Sequence, residues 1–475
     1  MARFSFDTRR RMSAAFALWL VLLISPACGG ESQLATERFG TVALYRPNVK
    51  PDSVVLFLSG DGGWKSGVVD MAHALVDMGA VVVGIDTPRY LKALRTANAT
   101  PCQSLAVDLE ALSHLAQRQL KIKEYSPPVL IGYSSGATLV YATLVQSPPG
   151  TFAGAMSLGF CSDQDIGEAQ LCPGYGLKYT RNRRGDALFE PASHLREPWV
   201  AFQGQQDRVC NPAAVDQFVA DVAGAAVVKL PSVGHGFSVQ RNWLPQFRAA
   251  YRTIVDRTQA ENKTVPVDIQ DLPVTEVTTA DSSSKQLALL MTGDGGWAGL
   301  DQDVSARLAA LGTPVVGFNS LKYFWTHRTP EQTAADVTRV LRHYLRAWSK
   351  TEILLVGYSF GADVMPFVVN RLPADLRARV VTMTLVGLGK DATWEVHVSN
   401  WIPGLARVGS LIAPEMASID IPLLCLYGAD DHTSLCPSIT QQNVRSEVVG
   451  QGHHLGGEYT TIADRILEFA RAARR

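Results

Sequence analysis

Ile131-Gly132-Tyr133-Ser134-Ser135-Gly136-Ala137 and Val356-Gly357-Tyr358-Ser359-Phe360-Gly361-Ala362 carry one pattern twice: a serine with a glycine two residues away on either side. Each copy follows a short apolar run and precedes a helix-compatible stretch. In that setting glycine-x-serine-x-glycine marks a sharp strand-to-helix turn. The glycines let the chain fold closely back on itself, which leaves the serine hydroxyl exposed above a helix N-terminus.

The repetition extends beyond the two turns. Leu56-Phe57-Leu58-Ser59-Gly60-Asp61-Gly62-Gly63-Trp64 returns as Leu289-Leu290-Met291-Thr292-Gly293-Asp294-Gly295-Gly296-Trp297. Gly204-Gln205-Gln206-Asp207 returns as Gly428-Ala429-Asp430-Asp431, and Gly234-His235 as Gly452-His453. The order is kept and only loop lengths drift. The period is far too long for a solenoid, so the chain is a duplicated domain. Its 475 residues are also more than one ordinary domain holds. The expected division is a first domain over 35–255, a polar linker over 256–271 and a second domain over 272–475.

Within each half, buried strands show as short apolar runs: Val54–Leu58, Val81–Ile85, Val129–Ile131 and Trp199–Phe202, then Leu287–Met291, Pro314–Phe318, Ile353–Val356 and Pro422–Tyr427. Phe39 to Tyr45 and Leu272 to Thr279 are expected to open the two sheets. Segments with helical spacing, such as Ser104–Gln119 and Glu331–Trp348, lie between the strands. Alternation of this kind predicts an α/β fold with mainly parallel sheets flanked by helices.

Serine is a weak nucleophile unless a base takes its proton and a third group orients that base. The turn described above is the nucleophile elbow of α/β-hydrolases, in which acid and histidine follow the serine in the chain. Ser134, Asp207 and His235 satisfy that order in the first half, and Ser359, Asp431 and His453 in the second. Asp430 competes with Asp431, although the three-residue step from glycine favours Asp431; His454 is an alternative to His453. The remaining requirement is an oxyanion hole. It is expected from the backbone N–H after each serine, at Ser135 and Phe360, together with that of Asp61 or Asp294 in the G-D-G-G-W loop. Two tandem α/β-hydrolase domains of serine-esterase type are the result.

Composition narrows the function further. An apolar share of 47% and a charged share of 19% belong to a globular class, not a disordered or coiled-coil one. Basic and acidic residues number 44 each, so nothing suggests nucleic-acid binding. Arg3, Arg9, Arg10 and Arg11 precede the apolar run Ala14 to Ile24, and Ser25-Pro26-Ala27 closes it with small residues. This reads as an export signal over 1–27, against a retained anchor; Cys28 could instead be lipid-modified. Export permits disulfides. Cys161–Cys172 and Cys425–Cys436 are candidate local loops among six cysteines, with the pairing left open. No CxxC or HxxxH spacing occurs, so no metal site is expected.

The second half resembles the VirJ/AcvB family of exported bacterial virulence proteins. The resemblance rests on Gly293-Asp294-Gly295-Gly296-Trp297, Tyr323-Phe324-Trp325, Arg328-Thr329-Pro330 and Gly357 through Phe367. The first half departs from that pattern: Ser135 stands for Phe360, Thr138 for Asp363, and Tyr323-Phe324-Trp325 has no clear equivalent. The resemblance implies a periplasmic hydrolase of aminoacylated phosphatidylglycerol, chiefly lysyl-phosphatidylglycerol, that needs no cofactor and takes a membrane phospholipid as substrate. A lysyl group is doubly cationic, so a carboxylate is expected in the cleft; Asp363, one turn past Ser359, is the candidate, with Trp297 as a further substrate contact. A reading of a different class is a non-enzymatic periplasmic adaptor for envelope or secretion-system proteins.

Overall fold

The computed structural model describes residues 30–96, 102–261, 268–281, 283–396, 409–453, 455–457 and 459–474. The leader over 1–27, Cys28, His454 and the middle of the expected linker lie outside these residues. Among the described residues no helix is long and apolar enough to cross a membrane.

Each half is built on one sheet. The first has eight strands: β1 (Glu31–Thr36), β2 (Gly40–Tyr45), β3 (Ser53–Leu58), β4 (Ala80–Ile85), β5 (Val129–Tyr133), β6 (Gly154–Leu158), β7 (His194–Gly204) and β8 (Ala223–Leu230). Their order across the sheet is β1-β2-β4-β3-β5-β6-β7-β8. The second sheet has seven: β9 (Val274–Val277), β10 (Gln286–Met291), β11 (Val315–Phe318), β12 (Glu352–Tyr358), β13 (Val380–Val386), β14 (Leu423–Tyr427) and β15 (Val444–Val448). They run β9-β11-β10-β12-β13-β14-β15, the first sheet's order without its edge strand β1. Only the opening strands pair antiparallel. The others are parallel, with Val55–Leu58 opposite Val129–Gly132 and Gln286–Met291 opposite Glu352–Gly357.

Parallel strands covered on both faces should be apolar throughout rather than alternating. Strands β3 and β10 are indeed buried at every position. At roughly 1.5–3 kcal/mol for each fully buried large aliphatic side chain, these two strands anchor the cores. Local signals set the helix ends. Ser104 caps Leu105–Gln119 (α1), its side chain accepting from the Val107 N–H. Thr329 and Gln332 form a reciprocal capping box on Pro330–Ala347, which also starts with proline.

The domain limits differ from expectation at two places. Residue 35 falls inside β1, whose alternation is too polar to signal a strand. The helix Leu244–Glu261 continues into the expected linker, and Ile269, 1% exposed, is already in the second core. Of the two expected local disulfides only Cys425–Cys436 forms. Cys161 joins Cys210 and Cys172 joins Cys102. The cause is sheet adjacency: Cys161 follows β6, Cys210 follows the neighbouring β7, and their Cα atoms lie 5.2 Å apart.

The halves pack against each other through α1. The Trp325 indole donates to the Ile122 carbonyl at 2.7 Å. Arg118 donates to the Trp325 carbonyl (2.6 Å), the Val396 carbonyl and Glu395 (3.0 Å), with its guanidinium 3.9 Å from the Trp325 ring centre. Tyr125 of the first half belongs to the second half's core. His114, 1% exposed, sits against Tyr125 and Trp325, with ring centres 4.8 and 6.1 Å away. Burial, and then the nearby Arg118 charge, push its imidazole down to about 3, so it is neutral in the folded chain.

Candidate active site

Both serines sit at the end of a central strand and the start of a buried helix: Ser134 between β5 and Ser135–Gln146, Ser359 between β12 and Phe360–Asn370. Their φ angles are +54° and +49°, left-handed values that cost a non-glycine residue roughly 1–2 kcal/mol. The flanking glycines follow from sterics. A Cβ on Gly132 would stand 2.1 Å from the Gly136 carbonyl oxygen, and one on Gly136 2.4 Å from that of Leu58. The equivalents are 2.6 Å for Gly357 against Gly361 and 2.2 Å for Gly361 against Met291. Only glycine fits at these four positions.

The two sets of serine, histidine and aspartate meet. Ser134 Oγ lies 2.9 Å from His235 Nε2, and His235 Nδ1 lies 2.9 Å from Asp207 Oδ2. In the second half Ser359 Oγ is 2.8 Å from His453 Nε2, and His453 Nδ1 is 3.0 Å from Asp431 Oδ2. The remaining oxygen of each aspartate is also held. Asp207 Oδ1 accepts from the N–H groups of Val209 (2.8 Å) and Cys210 (3.0 Å). Asp431 Oδ1 accepts from the Thr433 N–H (3.1 Å) and hydroxyl (2.5 Å). Burial pushes the Asp431 carboxyl up, but hydrogen bonds from Thr433 and His453 outweigh it, and the group lies below the usual carboxylate range. Ionised and largely buried, it can fix the imidazole tautomer with Nε2 free to accept the serine proton. The His453 side chain is 37% exposed against 17% for His235, so the second site is the more open.

Asp430 does not compete: its carboxylate accepts from the backbone N–H of Gly452. Asp363 differs from its expected place in the cleft. It is 8% exposed, and Oδ1 accepts from the Gly389 N–H at 2.7 Å, tying the elbow helix to the loop after β13. That loop also carries Gly387, where a Cβ would come within 3.1 Å of the His453 ring. Asp363 therefore holds the floor beneath the imidazole rather than facing solvent. In the first half Thr138 makes the reversed contact, donating to the Cys161 carbonyl at 2.7 Å.

The G-D-G-G-W loops reach the serines. A Cβ on Gly60 would lie 3.0 Å from the Ser134 Cβ, and one on Gly293 3.6 Å from that of Ser359. The backbones of Asp61 and Asp294 thus stand beside the N-termini of the elbow helices at Ser135 and Phe360. Trp297 is not over the nucleophile. Its ring fills the space above Gly317, where a Cβ would be 1.9 Å away, and Trp64 packs likewise on Gly84. Both tryptophans are spacers between loop and sheet. Asp207, Cys210 and His235 also lie close enough to suggest a metal site, but a disulfide sulfur is no thiolate ligand and the other two groups already bond each other.

Further residues complete the sites, two of them tyrosines inside the repeated glycine-x-serine-x-glycine motif. Tyr133 donates to the His235 carbonyl at 3.1 Å, and the Tyr358 ring stacks on His453 at 6.3 Å between centres. Gly159 and Gly387 occupy matching places after β6 and β13, and aligning the two halves further would have revealed them. Glu110 lies near the second site although it belongs to the first half, which no local pattern could disclose.

No curated protein matches the sequence. Among solved structures, the esterase domain of a Rhodothermus marinus protein is 17% identical, with 47% of this chain and 96% of that one covered and a TM-score of 0.32. Thermogutta terrifontis esterase 2 phosphorylated by paraoxon is 14% identical, covering 49% and 95%, with a TM-score of 0.34. A Xanthomonas campestris protein described as an α/β serine hydrolase without a lid is 18% identical, covering 49% and 96%, with a TM-score of 0.30. A family model described as "Bacterial virulence protein (VirJ)" matches residues 52–157 and 285–474. The first stretch takes in Ser134 but ends before Asp207 and His235; the second holds Ser359, Asp431 and His453 together. Matched over more than half of its length, the chain belongs to the VirJ family of bacterial virulence proteins.

Proposed function

We propose that the chain is a serine hydrolase of carboxylic esters that acts in the periplasm, removing the aminoacyl group from aminoacylated phosphatidylglycerol, lysyl-phosphatidylglycerol foremost. The observation that carries the hydrolytic reading is the continuous relay Ser359–His453–Asp431, with contacts of 2.8 and 3.0 Å. Support for the substrate comes from the AcvB-like two-domain layout and from the second-half motifs.

The chemistry follows from the geometry. Ser359 Oγ attacks the aminoacyl carbonyl carbon as His453 Nε2 takes the hydroxyl proton, and Asp431 stabilises the imidazolium. The carbonyl oxygen becomes an oxyanion, for which the backbone N–H groups of Phe360 and Asp294 are the proposed donors; one such donor is worth about 2.7–4 kcal/mol in comparable enzymes. The tetrahedral adduct collapses as His453 returns the proton to the glycerol oxygen, releasing phosphatidylglycerol and leaving lysine esterified to Ser359. Water, deprotonated by His453, then attacks that ester, and His453 gives the proton to Ser359 Oγ as the acyl–oxygen bond breaks and lysine leaves. Side chains, backbone N–H groups and water complete the cycle. Ser134, Asp207 and His235 could run the same steps in the first half.

The test is release of free lysine from vesicles of phosphatidylglycerol containing lysyl-phosphatidylglycerol. The native chain should release it, and Ser359→Ala should lose most of the activity. If the native chain releases none from these vesicles, the substrate assignment fails. Binding of envelope proteins without turnover of any ester would favour the adaptor.

A further inference from the structure

The loop that carries the expected oxyanion donor of the second site is also touched by the first half. Glu110, on α1, brings Oε1 to 3.8 Å from where a Cβ on Gly295 would stand. Tyr175 closes the other end of the same loop: a Cβ on Gly299 would be 2.2 Å from its hydroxyl, which lies 3.2 Å from that of Tyr459. Between these contacts the loop is fixed to the first half by the Gly299 N–H, which donates to the Pro149 carbonyl at 3.3 Å. In the first half Asp61 is exposed where Asp294 is half-buried, whereas Gly62 and Gly295 are both exposed. The first half therefore supplies one side of the loop beside the second site.

The surroundings of that loop are acidic. Among the described residues no hydrogen bond or ion pair reaches the partly buried Glu110 carboxylate. Burial, and then the negative charge of Asp294, push it up to about 8. Asp301, just beyond the loop, is 2% exposed, and its Oδ1 has no hydrogen-bond partner. Tyr358, the neighbour of the nucleophile, experiences the charges of both Asp301 and Asp294 after the effect of burial. No cation of the described residues is among the charges that shift Glu110 or Asp301. Carboxyl groups withdrawn from water without a counter-ion hold their protons, and a cation delivered by a ligand favours their ionised form.

We propose that Glu110 of the first half is a specificity-determining residue of the second half's active site, receiving a cationic group on the acyl part of the substrate alongside Asp294 and Asp301. The inference rests on the serine-hydrolase reading and extends it to the acyl group, and it gives the first domain a role that does not need its own turnover.

The test compares two fluorophosphonates on the full-length chain, one with an ammonium-ended tail and one with an alkyl tail of equal length, following modification of the Ser359 peptide by mass spectrometry. The native chain should react about 10-fold faster with the cationic probe, the order of one well-placed charge contact. Glu110→Gln, which keeps size and shape, should bring the ratio to about 1–3 by slowing the cationic probe more than the alkyl one, and Asp301→Asn should lower it in the same direction. A ratio near one in the native chain, or equal slowing of both probes in Glu110→Gln, overturns the inference while leaving the hydrolase reading intact. Failure of both probes to modify Ser359 overturns both.

Discussion

Replacing His114 by phenylalanine should make the contact between the two halves resistant to acid. His114 is buried against Tyr125 and Trp325, and its imidazole falls from an ordinary 6.5 to about 3 in the folded chain. In the unfolded chain it titrates normally. Between these two values the unfolded state binds the extra proton, so stability is full above about pH 6.5 and is lost progressively as the pH falls towards 3. Linkage with these values makes the loss about 2 kcal/mol on going from pH 7.5 to pH 5. Phenylalanine keeps a ring of similar size in the slot and removes the proton site. Glu110 works in the opposite sense, its contribution being present below about 4.5 and lost as the pH rises through about 8, but it is common to both proteins and cancels in the comparison. The assay is urea unfolding followed by tryptophan fluorescence at pH 7.5 and pH 5, since Trp325 lies in the contact itself. The native chain should lose about 2 kcal/mol more than His114→Phe between the two pH values. Parallel losses in the two proteins would refute the claim that this imidazole is buried neutral.

Three further outcomes follow from the geometry. Asp431→Asn should lower kcat on an ester turned over by the second site by about 10³–10⁴-fold through the wrong imidazole tautomer, whereas Asp430→Asn, which disturbs only the Gly452 contact, should cost less than about 10-fold. Asp363→Ala should weaken the loop under His453 and reduce kcat, with a stability loss of about 1–3 kcal/mol from the unpaired Gly389 N–H, yet leave the preference between cationic and neutral acyl groups unchanged; altered preference in steady-state competition would return Asp363 to the cleft. Removing the Cys161–Cys210 bond by Cys161→Ala with Cys210→Ala should destabilise the first half by roughly 2–4 kcal/mol in chemical denaturation, because it opens a closed loop of 49 residues next to Asp207.

What was legible in the sequence is what is local or repeated. Buried parallel strands are apolar at every position, so β3, β5, β10 and β12 stand out, and the close approaches at Gly132, Gly136, Gly357 and Gly361 admit no other residue and leave a motif. The duplication then narrows the acid and the base to Asp207 and His235 in the first half and to Asp431 or Asp430 with His453 or His454 in the second, because two copies in register constrain each other. What was hidden depends on contacts across the fold. Strand β1 is an edge with one buried residue in six and so has little apolar signal. The Cys161–Cys210 pairing follows from the adjacency of β6 and β7, which spacing along the chain does not encode. The charge of a lysyl group and the turn past Ser359 suggest Asp363 as a substrate contact, with Trp297 beside it, but Asp363 is held by the Gly389 N–H and Trp297 packs over Gly317, where there is no side chain. Glu110 reaches the second site only because α1 packs on Trp325, a contact between halves that leaves no trace in either half alone.

The relay at the second site is tested most directly by treating the native chain and His453→Ala with diisopropyl fluorophosphate and measuring diisopropylphosphorylation of the Ser359 peptide by mass spectrometry. A hydroxyl activated by an imidazole at 2.8 Å should be modified stoichiometrically in the native chain, and at least about 10³-fold more slowly in His453→Ala. An unmodified Ser359 in the native chain, or equal rates in the two proteins, would contradict the account.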